Sequence, residues 1–175
     1  KSLKDLERAI KSHKIAKLSR FGKKSEENIL AGIEMHKKRK ARMYLGEAYP
    51  TAQFLVSKLK NLREIKTAIA GGSLRRMKET IGDIDILVVP RNNDRATISK
   101  IMNYFTTLPE VDHVLAKGST KSAVVLKSGV QSDVRVLPEI SFGAALQYFT
   151  GNFDHNVKLR GIAIKKGFKL SEYGL

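Results

Sequence analysis

The stretch GGSLRRMKETIGDIDILVV, residues 71–89, restricts the fold more than any other part of the chain. It closes on an alternation of aspartate and isoleucine that runs into an apolar tail. On a strand, residues i and i+2 point to the same side. Asp83 and Asp85 therefore project together from one face, and Ile84 and Ile86 enter the other. Two neighbouring carboxylates repel, and a half-buried anion is costly unless something positive holds it. The strand thus demands a cation. A hard divalent ion with oxygen ligands answers best, because Mg²⁺ takes one or two carboxylates and completes its shell with water and phosphate oxygens.

Asp133, in SDVRVLP, offers a third acid on a strand whose Val134 and Val136 face away from it. If the two strands pair, three carboxylates converge. Such a trio can hold two Mg²⁺ ions, or two Mn²⁺ ions, about 4 Å apart, the arrangement that stabilises the entering and leaving oxygens of an in-line phosphoryl displacement. The Gly-Gly-Ser turn supplies the complementary half. Gly71 and Gly72 leave the backbone open, a helix start presents free N–H groups to an anion, and Ser73 adds a hydroxyl. Arg75 and Arg76 carry guanidinium forks suited to phosphate. Gly82 lets the chain come close to the same phosphates. An Asp-x-Asp alone is usually a solvated strand edge, and a Gly-Gly-Ser alone an ordinary turn; their spacing, with nine residues between Ser73 and Asp83, gives them joint meaning.

The rest of the pattern predicts an α+β fold, one mixed sheet with helices on one face, preceded by a helical unit. Ser2 and Asp5 cap a first helix to about residue 10, and a long helix is expected over residues 25–44. Residues 46–50 read as a joint. Then come a helix over 51–59, a strand over 67–70, a helical stretch over 74–78 capped by Ser73, a strand over 83–89 and a helix over 94–106. Strands follow over 111–116, 123–127 and 132–136, and helices over 142–148 and 153–165. The expected divisions are 1–46, 47–138 and 139–175.

The chain of 175 residues carries 33 basic and 17 acidic side chains, a formal charge of +16. Residues 1–45 hold 14 Lys and Arg against 5 Asp and Glu, so +9 of it lies there. Such an excess points to a polyanionic partner, nucleic acid before an anionic membrane surface. With no cysteine, disulfides and thiolate zinc sites are excluded. No apolar run approaches a membrane span, and none of the four histidines has metal-ligand spacing. Arg20-Phe21-Gly22-Lys23-Lys24-Ser25 fits a hairpin between two helices that brings backbone N–H groups against a DNA phosphate without reading bases. The run Lys37-Lys38-Arg39-Lys40-Arg42 reads as a solvated helix face.

Taken together, the Gly-Ser, Asp-x-Asp and later single Asp resemble the nucleotidyltransferase superfamily. Within it, GGSLRRMKETIGDIDILVV, LAKGSTKSAVVL, SDVRVLPE, YFTGNFDHNVKLRGIAIKKGFKLSEYGL and LSRFGKKSEENILAGI resemble, in order and over nearly the whole chain, the family X DNA polymerases. That resemblance implies a nucleotidyltransferase-type palm after a helix-hairpin-helix unit, and template-directed transfer of a deoxynucleotide from a dNTP to a primer 3′-hydroxyl, with gap filling in repair as the setting. It implies metal ligation by Asp83, Asp85 and Asp133, with Asp133 also helping to activate the hydroxyl. Gly72, Ser73, Arg76 and Gly82 would contact the triphosphate. Tyr148, Phe149 and Gly151 would lie at the sugar, Asn156 at the base, and Arg160 on the template. Phe21, Gly22, Lys23, Lys24 and Ser25 would touch DNA, with a monovalent cation at the hairpin.

The expected partners are gapped or primer-template DNA and a dNTP, with no membrane, for a monomer in the nucleoid or nucleus. Two positions depart from the family pattern: Gln131 replaces a basic residue two before the third acid, and Phe153 replaces an acid three before Asn156. The family's lyase domain, most of its carboxy-terminal subdomain and a phosphoesterase domain are expected outside this chain, which reads as a piece of a longer protein. Two other readings share part of the pattern: a nucleotidyltransferase acting on RNA ends or small molecules, and a DNA-binding module without catalysis.

Overall fold

A computed structural model of the chain describes residues 2–38 and 42–175, with the backbone alone at residues 31 and 34–38. Its residues fall into two compact units, Lys1–Lys40 and Ala41–Leu175.

In the first unit, helix α1 (Leu3–Lys11) opens on a reciprocal cap. The Ser2 side chain accepts from the Asp5 amide, and the Asp5 carboxylate accepts from the Ser2 amide. This is the capping box that satisfies two amides left over at a helix start. Residues 12–20 form successive turns, and helix α2 (Lys23–Lys38) follows. The left-handed residue of the hairpin is Arg20, at φ 69°, rather than the glycine. Gly22 caps α2 instead, its carbonyl receiving the amides of Ser25 and Glu26 and its own N–H donating to Ser25 Oγ at 3.3 Å. Glu26, only 3% exposed, ties the turns to α2. Its carboxylate accepts the Ala16 amide at 2.9 Å and pairs with His13 Nδ1 at 2.8 Å.

The long helix expected to residue 44 is corrected here, because Met43–Tyr44 forms a short strand, β1. The predicted joint over residues 46–50 is helical: α3 runs Leu45–Lys60 through Pro50. A proline inside a helix forfeits one hydrogen bond and costs about 3 kcal/mol. Burial of Ala48, Ala52, Leu55, Val56 and Leu59 at helical spacing opposes that cost. Of the basic run, Arg39 and Lys40 lie outside the described residues, as do the side chains of Lys37 and Lys38, and Arg42 stands off the helix, just ahead of β1.

The remaining elements are β2 (Ile65–Ala70), α4 (Gly72–Arg75), β3 (Thr80–Ile81), β4 (Asp83–Pro90), α5 (Arg95–Thr106), β5 (Val111–Lys117), β6 (Lys121–Leu126), β7 (Gln131–Val136), α6 (Phe142–Thr150) and α7 (Phe153–Lys165). A short 3₁₀ turn precedes α6. Five strands make a mixed sheet in the order β2-β4-β7-β6-β5, with β4 and β7 parallel and the other pairs antiparallel. β1 pairs with β3 separately. Ser73 does not cap α4; the helix starts two residues earlier, at Gly72, with Gly71 as its cap. At α5 the cap is Asp94, whose side chain accepts from the Thr97 amide at 2.8 Å.

One sheet face is packed by α3 and α5. Ile84, Ile86 and Val88 of β4, Val134 and Val136 of β7 and Val124 of β6 meet Leu55, Leu59, Ile101, Met102 and Phe105 there. On the opposite face, α6 covers one stretch only, where Leu87 meets Leu137 and Ala145, with Leu146 and Phe149 packed against them. The same side of β4 is therefore apolar at Leu87 and acidic at Asp85 and Asp83. The cover stops where the carboxylates begin.

Candidate active site

Register decides where the acids meet. Along the parallel pair, Asp83 lies opposite Gln131 and Asp85 opposite Asp133. Since directly opposed residues share a face, Asp83, Asp85 and Asp133 project to the same side. Burial, followed by the charges of Asp83 and Asp133, pushes the Asp85 carboxyl up from 3.8 to about 6, with Lys121 and Arg76 acting the other way. A carboxyl raised by burial and by two like neighbours is short of compensating charge, and the three carboxylates are hard oxygen donors. Those donors fit a divalent cation such as Mg²⁺.

The set is not a closed cage. Among the described residues, no three His, Cys, Asp or Glu side chains are gathered ready to enclose an ion. At Asp133 the two oxygens are held by the chain itself. Gln131 Nε2 donates to Oδ1 at 2.8 Å, and Lys121 Nζ lies 2.7 Å from Oδ2. Gln131 thus orients the Asp133 carboxylate by a hydrogen bond, and Lys121, from the next strand, brings a positive charge. Lys121 was missed in the sequence because its meeting with Asp133 depends on the β6–β7 register, which pairs Ala123 with Asp133.

The glycine turn sits against these acids. Gly71 donates its amide to the Asp85 carbonyl at 2.8 Å, which pins the end of β2 to β4. Gly72 has φ +60°, and a Cβ there would lie 2.3 Å from Asp85 Oδ2. Only glycine fits both demands. The first amides of α4 have no acceptor within the helix, as at any helix start, and Ser73 there is half-buried. Gly82 is bare for a different reason: a Cβ would stand 3.1 Å from Arg42 Nη1. Arg42 is fixed over that spot, donating from Nε to Thr80 Oγ1 at 2.9 Å and from Nη2 to the Thr80 carbonyl at 2.7 Å. Placed by sequence on a solvated helix face, Arg42 instead adds a guanidinium at the edge of the site.

Arg76 reaches across to the end of α6, where Nη1 donates to the Thr150 carbonyl. Gly151 closes that helix at φ 69°, and a Cβ there would meet Arg76 Nη1 at 3.1 Å. Arg76 Nε is buried with no partner. Phe149 stacks edge-on to Tyr148, with ring centroids 5.2 Å apart, and lies under the Arg135 guanidinium. A Cβ on Gly71 would touch Phe149 Cβ at 3.5 Å, so the aromatic pair borders the glycine turn. Asn156 spends its amide locally, donating to the Tyr148 carbonyl at 2.7 Å and accepting from Gln147 at 3.1 Å. Arg160 is half-buried one turn further along α7, and Phe153 is 77% exposed.

The hairpin residues Phe21, Gly22, Lys23, Lys24 and Ser25 belong to the other compact unit. All but the half-buried Ser25 are exposed.

Comparison with known proteins identifies the family and the fold. Residues 42–131 match the family described as DNA polymerase beta palm, and residues 145–175 match DNA polymerase beta thumb. The DNA polymerase/3′-5′ exonuclease PolX of Bacillus subtilis is 34% identical over 172 residues, 97% of this chain and 29% of that protein. DNA polymerase lambda of Rattus norvegicus is 30% identical over 127 residues, 61% of this chain and 21% of that protein. The chain therefore spans under a third of these curated relatives. Among solved structures, polymerase beta of Leishmania infantum shares the fold. Its ternary P/T complex gives a TM-score of 0.71 at 20% identity, covering 97% of this chain and 68% of that one. Its ternary gap complex gives 0.73 at 21%, covering 99% and 60%. The palm match alone takes in more than half of the sequence, and the chain belongs to the family of DNA polymerase beta, the family X DNA polymerases.

Proposed function

We propose that this chain carries the polymerising centre of a family X DNA polymerase and extends a primer 3′-hydroxyl with a deoxynucleotide chosen by the template. The observation that carries the reading is the meeting of Asp83, Asp85 and Asp133 on one sheet face beside a turn that only Gly72 can make. In the reaction a bond forms between the primer O3′ and the α-phosphorus. The bond from that phosphorus to the bridging oxygen breaks, pyrophosphate leaves, and the hydroxyl proton passes to a base or to water.

Asp83 and Asp85 would hold both divalent ions and Asp133 the one nearer the primer. Held there, divalent ions would supply the positive charge that lowers the pKa of the attacking hydroxyl and balances the departing pyrophosphate. The protein's own part is positioning. Gly72 and Ser73 offer amides and a hydroxyl to the triphosphate. Arg76, with one unpartnered nitrogen, exchanges the Thr150 carbonyl for a phosphate oxygen, and the chain passes close by at Gly82 under Arg42. Tyr148, Phe149 and Gly151 form the floor for the sugar. Asn156 turns from the Tyr148 carbonyl to the edge of the base, and Arg160 meets the template strand. In the other unit, the exposed Phe21, Gly22, Lys23 and Lys24, together with Ser25, grip a DNA phosphate, and a monovalent cation can sit on the hairpin carbonyls.

Short gaps are the proposed substrate, as the resemblance to the family implies. The test is extension of a one-nucleotide gap with each dNTP separately, the template base varied in turn, with Mg²⁺ and with Mn²⁺. Incorporation that follows the template base is expected. Addition indifferent to the template would favour a nucleotidyltransferase of another kind. DNA binding without saturable nucleotide binding would reduce this chain to a binding module.

A further inference from the structure

The third acid is already occupied by a cation that belongs to the protein. Lys121 and Asp133 stand on neighbouring antiparallel strands, and the register puts Lys121 beside Arg135 and one step along from Asp133 on the same face. Its Nζ is 2.7 Å from Asp133 Oδ2, and Gln131 takes Oδ1. The two partners differ in kind. Gln131 is neutral and can orient the carboxylate but not balance it. Lys121 is charged, and its side chain is 48% exposed against 12% for Asp133, so the ammonium can swing into solvent while the carboxylate cannot. An ammonium is a compact, strongly hydrated point charge on a flexible stem, suited to being released.

We propose that Lys121 is a tethered counter-ion of the acid cluster: it holds Asp133 while no divalent cation is bound, gives that carboxylate up when one binds, and so sets how tightly the site takes its metal. The proposal rests on the metal-site reading above. It also accounts for an acid trio that shares a face without forming a cage. Lys121 would make the site selective as well, since a monovalent ion gains little by displacing an ammonium of equal charge, whereas a divalent ion gains more.

The test is a titration of the whole 175-residue chain with Mn²⁺ alone, free ion being read from its electron paramagnetic resonance signal, with neither DNA nor nucleotide present. Lys121→Met keeps the stem and removes the charge. It is expected to bind Mn²⁺ roughly five-fold more tightly, the scale of a partly exposed ion pair. Lys121→Arg, which keeps the charge, is expected to stay close to the parent, as is Lys117→Met on the neighbouring strand. Mn²⁺ binding that requires Asp133 yet is unchanged or weaker in Lys121→Met would overturn the proposal and leave the metal site standing. Equal tightening by Lys117→Met would also overturn it, because the effect would then be one of overall charge. Binding indifferent to Asp133→Asn would overturn the metal site and the proposal together.

Discussion

Two carboxylates, one in each compact unit, sit beside a glycine turn and have opposite lives. Glu26 is buried next to the Gly22 hairpin and fully partnered. Its hydrogen bond to His13, then the amide of Ala16, hold it below the usual glutamate range against the pull of burial. Asp85 lies against Gly72 with two other acids for neighbours, and burial and their charges hold it well above the usual range. A carboxylate whose partners come from its own chain is a structural tie. One raised by burial and by two like charges, despite Lys121 and Arg76 nearby, has room for a further cation. The glycines differ in the same sense. Gly22 has open space where a Cβ would go, whereas Gly72 has Asp85 Oδ2 there. The fold requires Gly72, while a Cβ at Gly22 would meet nothing.

The sharpest way to break this contrast is to neutralise the unsatisfied acid. Asp85→Asn is expected to reduce gap filling by about a thousand-fold or more, on the scale seen when charge stabilisation is lost at a transition state. It is also expected to raise the metal-free melting temperature at pH 8 by a few degrees, because an anion costly to bury becomes a neutral isostere. A fall in melting temperature would mean that Asp85 is as well satisfied as Glu26.

Gly72→Ala comes next. It forces a left-handed backbone on an L-residue and pushes a methyl group into Asp85. Extension should drop about a hundred-fold through misplaced acids, with wild-type DNA affinity retained in a gel-shift titration.

Acid should divide the two regions. Below about pH 6 the Asp85 proton competes with metal, so Mn²⁺ affinity should fall by up to about ten-fold per pH unit. The sign for stability is the reverse. The folded chain binds more protons than the unfolded one between 3.8 and about 6, so the stability contributed by Asp85 is present in acid and is lost as pH rises through about 6. For Glu26, held low, stability is present above 4.5 and is lost as pH falls through its depressed value. The protection of the Ala16 amide against hydrogen exchange should therefore be lost only in acid, while the Asp85 region is not loosened there. Parallel loosening of both would remove the distinction.

The smallest effect is expected at Gly22→Ala. Open space accepts the methyl group, so the melting temperature should not move, but a phosphate loses its closest approach and affinity for gapped DNA should weaken about three-fold. Unchanged affinity would leave the hairpin as an ordinary helix junction.

Much of this was legible in the sequence because it is periodic or local. The Asp-Ile alternation gave the strand, its face and the acid pair. Ser2 declared its helix through the side chain that caps it, while at α5 the sequence left Asp94 and Thr97 open as caps and the structure shows Asp94. What stayed hidden depends on pairing between distant segments. Nothing near Lys121 announces Asp133, since the two meet only through the antiparallel register. Arg42 looked like one more charge on a basic helix because the two-residue strand after it is too short to leave a pattern. Pro50 read as a joint because the burial that overrides it comes from α3 residues packing on the sheet. His13 and Glu26 are thirteen residues apart and belong to no motif.

The central claim is that Asp133 joins Asp83 and Asp85 in one metal-dependent transfer site, and Asp133→Ala tests it most directly. Single-turnover extension of a one-nucleotide gap should fall by about a thousand-fold or more, with the dissociation constant for the same DNA unchanged. Extension within ten-fold of the parent, at equal DNA occupancy, would contradict the account.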